Sequence, residues 1–135
     1  MNANDPGSAL YAKLIAGTAL TAEIGGTRIY LEQPPQSGTL PYVLVSRVTG
    51  SDMYGSPRRV RRYIYAVKAV TMDDLTKAED IDDELDTMLY DSTLTVTGWG
   101  TYWLRRNTDI AYQEAGEGGV VYHHRGALYE LRLSK

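Results

Sequence analysis

The chain has 135 residues and a mass of 15.0 kDa, the size of one domain, so a cofactor domain beside a substrate domain is not expected. Hydrophobic residues at 43% and charged residues at 23% describe a chain that folds rather than a disordered one. Fourteen Lys and Arg against seventeen Asp and Glu give a net charge of −3, which argues against a surface built throughout for nucleic acid.

The absence of cysteine excludes disulfides, thiolate metal sites and cysteine nucleophiles. No apolar stretch approaches the roughly 20 residues that span a bilayer, and the N-terminus has neither the basic start nor the apolar centre of a secretion signal, so a soluble protein without a membrane partner is expected. Eleven Tyr and two Trp with no Phe give every large ring a polar handle, which favours wet interfaces.

In chain order, Asp5-Pro6 and Ser8 ahead of Leu10, Tyr11, Leu14 and Ile15 predict a capped helix from about Pro6 to Ala16. Arg28 to Leu31 reads as a short strand before the Pro34-Pro35 break. Pro41 to Val48 is β-branched and almost uncharged, a buried strand; Thr49 to Pro57 is dense in turn formers; Val60 to Val70 is a second long strand. The two strands form a hairpin with an extended tip. Both faces of the second strand are half apolar, so a cover is expected on each side.

Thr71 to Asp91 carries Leu75, Ala78, Ile81, Leu85, Met88 and Leu89 at helical spacing, with an acidic opposite face. Asp86 and Asp91 oppose the helix dipole at its end, so packing must hold this helix. Leu94 to Thr97, Tyr102 to Tyr112 and Val120 to Leu133 read as β, with a turn at Gly116 to Gly119 and a possible bulge at Gly126. The order predicts an α+β fold over residues 1–135: two helices on one face of a mainly antiparallel sheet, with an extended hairpin arm. A neighbouring copy is the preferred cover for the second face.

No constellation carries catalysis or a metal. His123 and His124 are adjacent on a strand and therefore point to opposite sides, and no strained Ser turn or second His pair accompanies them. The run Glu79 to Glu84 has an Ile-Leu helical stripe through it, unlike a calcium loop. Gly116 to Gly119 lies between strands and opens no helix, so it lacks a phosphate cradle. No enzyme activity and no cofactor are expected.

Charge is segregated instead. Residues 46–70 carry +5, dominated by Arg58, Arg59, Arg61 and Arg62, while residues 71–91 carry −8. These blocks can be satisfied within one subunit, between copies, or by outside partners. The arginines suit an acidic protein surface or passing DNA; as a bland alternative they form a solvated hairpin base.

The N-terminal ALYAKL helix, the RIYLEQPPQSGTLPYVLVSRVTG passage, the acidic AEDIDDELDTMLYD helix and the closing VVYHHRGALYELRLS strand resemble the small tail-completion proteins of long-tailed bacteriophages. This family is similar to the tail terminators, that of phage lambda among them. The resemblance covers essentially the whole chain and rests on order and pattern, including Pro35, Pro41-Tyr42, His124-Arg-Gly126 and Tyr129.

It implies a ring of six copies at the head-proximal end of the virion tail, assembled in the host cytoplasm. Such a ring caps the tail tube protein, stops its polymerisation, joins the head-completion connector and lets DNA pass without specific binding. By the same analogy the hairpin tip and base, Met53, Tyr54, Arg58, Arg59, Arg61 and Arg62, would touch a neighbour or the tube. The helix face with Asp80, Asp83 and Glu84 would be their charge-complementary counterpart. The rival reading is a monomeric α+β module that stacks nucleic acid or a small ligand on Tyr63 and Tyr65 beside the arginines.

Overall fold

A computed structural model describes residues 6–36, 38–53 and 59–135 as an α+β fold. The order is α1 (Gly7–Ile15), α2 (Thr18–Ile24), β1 (Ile29–Leu31), β2 (Tyr42–Met53), β3 (Val60–Met72), α3 (Leu75–Leu89), β4 (Gly100–Ala115), a 3-10 turn (Glu117–Gly119) and β5 (Val121–Ser134). One five-stranded sheet runs β1-β2-β3-β5-β4, parallel between β1 and β2 and antiparallel elsewhere.

The helix face of the sheet follows from strand alternation. Tyr63, Tyr65, Val67 and Ala69 of β3 point to one side, opposite Leu131, Tyr129 and Ala127 of β5, and all of these are buried. Leu10 and Leu14 of α1 and Ile81, Leu85 and Leu89 of α3 close over this side. A fully buried Leu or Ile contributes about 1.5–3 kcal/mol, so these five side chains fix the layer against the acidic character of α3.

Among the described residues three α-helices occupy that side, not two. Seven-residue α2 lies between Gly17 and Gly25, whose left-handed φ of 85° ends it, and it buries only Leu20 and Ile24. Gly17 and Gly25 are therefore the boundaries of a helix. Among the described residues no side chain caps α1: the Pro6 carbonyl accepts from the amides of Ala9 and Leu10, and Asp5 lies outside the described residues. At α3, the predicted start at Thr71 gives way to β3, which continues to Met72, and the Asp74 carboxylate caps the helix by accepting from the Lys77 amide at 2.9 Å.

Leu94 to Thr97 is not a strand; Val96 makes only an isolated bridge to Trp99. Gly126 is not a bulge either, since it keeps regular register with Lys68 on one side and Ile110 on the other. Its reason is space: a Cβ there would lie 2.1 Å from the Val67 carbonyl oxygen and 2.5 Å from the Lys68 Cα. The bulges fall instead at Arg47/Thr49, Thr101/Trp103 and Arg106/Thr108, on strands next to or at the sheet edge.

Candidate interaction surfaces

The β2–β3 ladder closes with Met53 opposite Val60, and β5 flanks β3 along its whole length, from Ser134 to Tyr122. The hairpin base is thus part of the sheet, and alternation divides its arginines. Arg61 turns to the helix side, stacking its guanidinium over the Tyr63 ring at 5.0 Å and reaching Asp52 at 3.4 Å. Arg59 shares that carboxylate at 3.0 Å and lies over Trp99 at 5.5 Å, with half of its side chain in solvent. The Arg59 pair holds Asp52 below the usual carboxylate range, chiefly through its hydrogen bond. Met53 is half-buried, while Tyr54 and Arg58 lie outside the described residues.

Arg62 points to the helix-free side, where it meets a cluster that no local pattern announces. The Glu130 carboxylate, 8% exposed, accepts from Arg62 Nε at 2.7 Å, Arg132 Nε at 2.9 Å and Trp103 Nε1 at 3.0 Å. Burial pushes this carboxyl up, but the Arg62 and Trp103 hydrogen bonds outweigh it and hold it below its ordinary range. The Trp103 ring carries Arg132 at 4.3 Å and Arg105 at 4.6 Å. The one sequence signal is Glu130 itself, the single acid of the final strand.

On α3 the acids also divide. Asp82 and Asp86 turn inward to Arg106 of β4, which contacts Asp82 with both terminal nitrogens at 3.1 Å and Asp86 at 3.5 Å. The hydrogen bonds that Arg106 donates to Asp82 are the leading reason that its guanidinium is held still more firmly protonated. Asp80 and Asp83 are exposed and Glu84 half-buried, with no ion pair to them among the described residues. The acidic block is therefore partly satisfied within the subunit, and the remainder faces solvent.

At the far end of the helix-free side, His124 stacks on Tyr112 with ring centres 4.2 Å apart, and its Nε2 lies 2.6 Å from Glu114. Burial pushes the imidazole below its ordinary pKa despite the carboxylate. His124 is neutral near pH 7 and donates to Glu114. A hollow of about 260 Å³ opens beside it, lined by Gly38, Leu40, Tyr42, Val70, Glu114 and Tyr122. Among the described residues no three His, Asp or Glu side chains converge as a metal site, and no helix is long and apolar enough to cross a membrane.

Tyr63 and Tyr65 are 0% and 1% exposed beneath the helices, so neither can offer a face to a nucleobase. The stacking-platform reading fails on that burial. What the surface offers is charged and aromatic clusters on one sheet layer.

The chain matches the tail completion protein gp17 family over residues 8–133 and belongs to it. It is a structural protein of a bacteriophage-type tail. Among solved structures, a chain from the virion of a native gene transfer agent particle superposes with a TM-score of 0.77 at 18% identity, over 98% of this chain and 97% of that one. A second solved chain gives 0.58 at 16% identity, over 94% and 90% respectively. These likenesses bear on the fold. No curated protein sequence matches the chain.

Proposed function

We propose that this protein is the terminator of the tail: six copies form a ring that caps the tail tube protein, stops its polymerisation and presents its other face to the head-completion connector. The ring stands at the head-proximal end of the virion after assembly in the host cytoplasm, and DNA passes through it without specific binding. The chemistry is that of surfaces, not of bond cleavage.

The observation that carries this reading is the separation of charge in the folded subunit. Asp80 and Asp83 project from α3, whereas Arg59 lies at the hairpin base, just before the start of β3. A heterologous contact that brings such patches together and closes on itself yields a ring. Glu84 completes the acidic side and Met53 stands at the hairpin base beside the basic one; Tyr54 and Arg58, outside the described residues, are proposed contacts with the neighbour or the tube from their place in the sequence alone. Arg61 and Arg62 support the site from within, since each is engaged inside the subunit.

The test uses three exposed positions, one on the basic patch and two on the acidic one. Arg59→Glu, and separately Asp80→Lys with Asp83→Lys, should leave the circular dichroism of the subunit unchanged and yield tails of uncontrolled length without heads attached. Normal, head-bearing tails in both variants, measured by electron microscopy, would overturn the reading.

A further inference from the structure

The sheet has two edges, and each is covered over only part of its length. On β2, strand β1 pairs with Val43 to Val45, and Glu32 follows, its amide donating to the Val45 carbonyl at 2.7 Å and its carboxylate accepting from the Arg47 amide at 3.1 Å. Past the bulge at Arg47/Thr49, the outer edge from Thr49 to Met53 has no backbone partner among the described residues. On β4, the Asp91 amide donates to the Leu104 carbonyl at 2.8 Å, and from Asp109 to Ala115 the outer edge again has no backbone partner among the described residues.

Ladder alternation fixes which groups are open. The Gly116 amide donates to the Val120 carbonyl at 2.9 Å, and Val121 spends both backbone groups on Asp73, so the amides and carbonyls of Asp109, Ala111, Gln113 and Ala115 point away from β5. On β2 the Val43 amide and the Val45 carbonyl face the β1 side, and the bulge shifts the count so that Gly50 and Asp52 face outward. Natural sheets blunt an open edge with Lys, Pro or outward charge. Residues 109–115 contain neither Lys nor Pro, and their two acids are drawn back into the subunit, Asp109 by Arg106 at 2.8 Å and Glu114 by His124 at 2.6 Å.

We infer that the open edge of β4, Asp109 to Ala115, pairs antiparallel with the open edge of β2, Thr49 to Met53, of a second copy of this chain, a junction that rests on the ring reading above. The occupant is selected by three relations. A strand edge is satisfied by another strand edge, and every copy carries both. Three antiparallel pairings separate β2 from β4, so the two run in opposite directions, and a copy standing alongside in the same orientation meets β4 in the sense of every other long pairing in the sheet. The charges of the proposed ring contact also flank these edges, both on the helix side. Arg59 is bonded to Asp52 of β2 and lies over Trp99, which packs on the core, while Asp83 is exposed on α3 beside the Asp82 that Arg106 of β4 grips. One junction therefore pairs the edges and brings the basic patch of one copy to the acidic patch of the next.

The two open stretches lie at opposite ends of the sheet. Thr49 to Met53 are level, across β3 and β5, with residues 100–105 of β4, whereas residues 109–112 of β4 are level with residues 42–45 of β2. Copies joined through them are staggered along the strands. Stagger with strand tilt is what a twisted sheet needs to close on itself. Joining different edges also makes the contact heterologous, the kind a closed ring requires.

Proline tests the edge at the backbone. Ala111→Pro and Gln113→Pro each remove an outward amide and leave the bonds to β5 in place, so the subunit should keep its circular dichroism while particles assembled in the producing cells lose the ring. Ala111→Ser keeps the amide and should keep the ring. Folded proline variants with rings visible by electron microscopy would overturn the junction and leave the ring reading standing, and absence of rings in the unsubstituted particle would remove that reading itself. If the proline variants fail to fold, cross-linking decides. The chain lacks cysteine, so Ser51→Cys and Ala111→Cys, both at exposed positions, are combined in one chain and a short bis-maleimide is applied to assembled particles. A ladder of covalent multiples of this chain, absent from each single variant, supports the junction. Rings without a ladder, or links only to a different virion protein, overturn it.

Discussion

Arg106 on edge strand β4 grips Asp82 on α3 with both terminal guanidinium nitrogens at 3.1 Å, and the same side chain reaches the Gly126 carbonyl of β5 at 3.1 Å. One residue thereby fastens the acidic helix to two strands. Tyr129 completes the link by donating to Asp86 at 2.8 Å from a fully buried position. Arg106→Met should lower unfolding free energy by about 2–3 kcal/mol, because Asp82 and Asp86 lose their shared counter-ion in a half-shielded site. Arg106→Lys should recover less than half, since an ammonium cannot span both oxygens of Asp82. Tyr129→Phe should cost about 1.5 kcal/mol. Urea denaturation checks all three, and a wild-type midpoint for Arg106→Met would contradict this role.

Gly126 offers a sharper contrast. A methyl group there meets the backbone of β3 at 2.1 and 2.5 Å, and backbone in a central strand cannot step aside. Gly126→Ala should therefore cost at least about 3 kcal/mol or prevent folding outright. Gly100→Ala, where the nearest atom is 3.9 Å away, should stay within about 0.5 kcal/mol of the parent. Equal effects in thermal melts would show that crowding is not the reason for the glycine.

These two residues also mark how far the sequence can be read. Leu75 to Leu89 is legible as a helix because its stripe is long and periodic, and the order of the long strands follows from β-branched runs between turn residues. The helix α2 is hidden because two buried side chains make no period. Gly126 is visible as unusual, yet its cause lies in residues 67 and 68, fifty-eight or more positions away in sequence and adjacent only through the β3–β5 register. The interaction surfaces show the same limit. The run of arginines is plain, but strand alternation sends Arg61 and Arg62 to opposite sides, and the partner of Arg62 is Glu130, sixty-eight residues on.

His124 should make stability depend on pH between neutrality and mild acid. Burial lowers its folded pKa, Lys68 and His123 act in the same direction, and Glu114 opposes them. The unfolded chain, with an imidazole pKa of about 6.5, takes up a proton first, so stability is full above that pH and declines as pH falls toward the folded value. His124→Phe keeps the stack on Tyr112 and removes the titration. Urea midpoints measured at pH 7.5 and pH 5 should fall more for the wild type than for this variant; parallel losses would exclude His124 as the source.

Glu130 should govern the strongly acidic limb. Its folded pKa is depressed, the Arg62 and Trp103 hydrogen bonds prevailing over burial, so the stability it confers is present above the unfolded carboxylate value of about 4.3 and is lost as pH falls through the folded one. Glu130→Gln can still accept from one donor but leaves Arg62 and Arg132 facing each other without a counter-charge. At pH 7 this variant should lose about 2–3 kcal/mol. Between pH 4.5 and pH 2.5 its remaining stability should change less than that of the wild type, because the titrating group is gone. Trp103→Phe removes one neutral donor and should cost only about 1 kcal/mol with the acid limb shifted upward. Denaturation curves across that range separate the two, and a Glu130→Gln chain as stable as the parent at pH 7 would mean that the Arg62–Glu130–Arg132 cluster does not hold the helix-free side together.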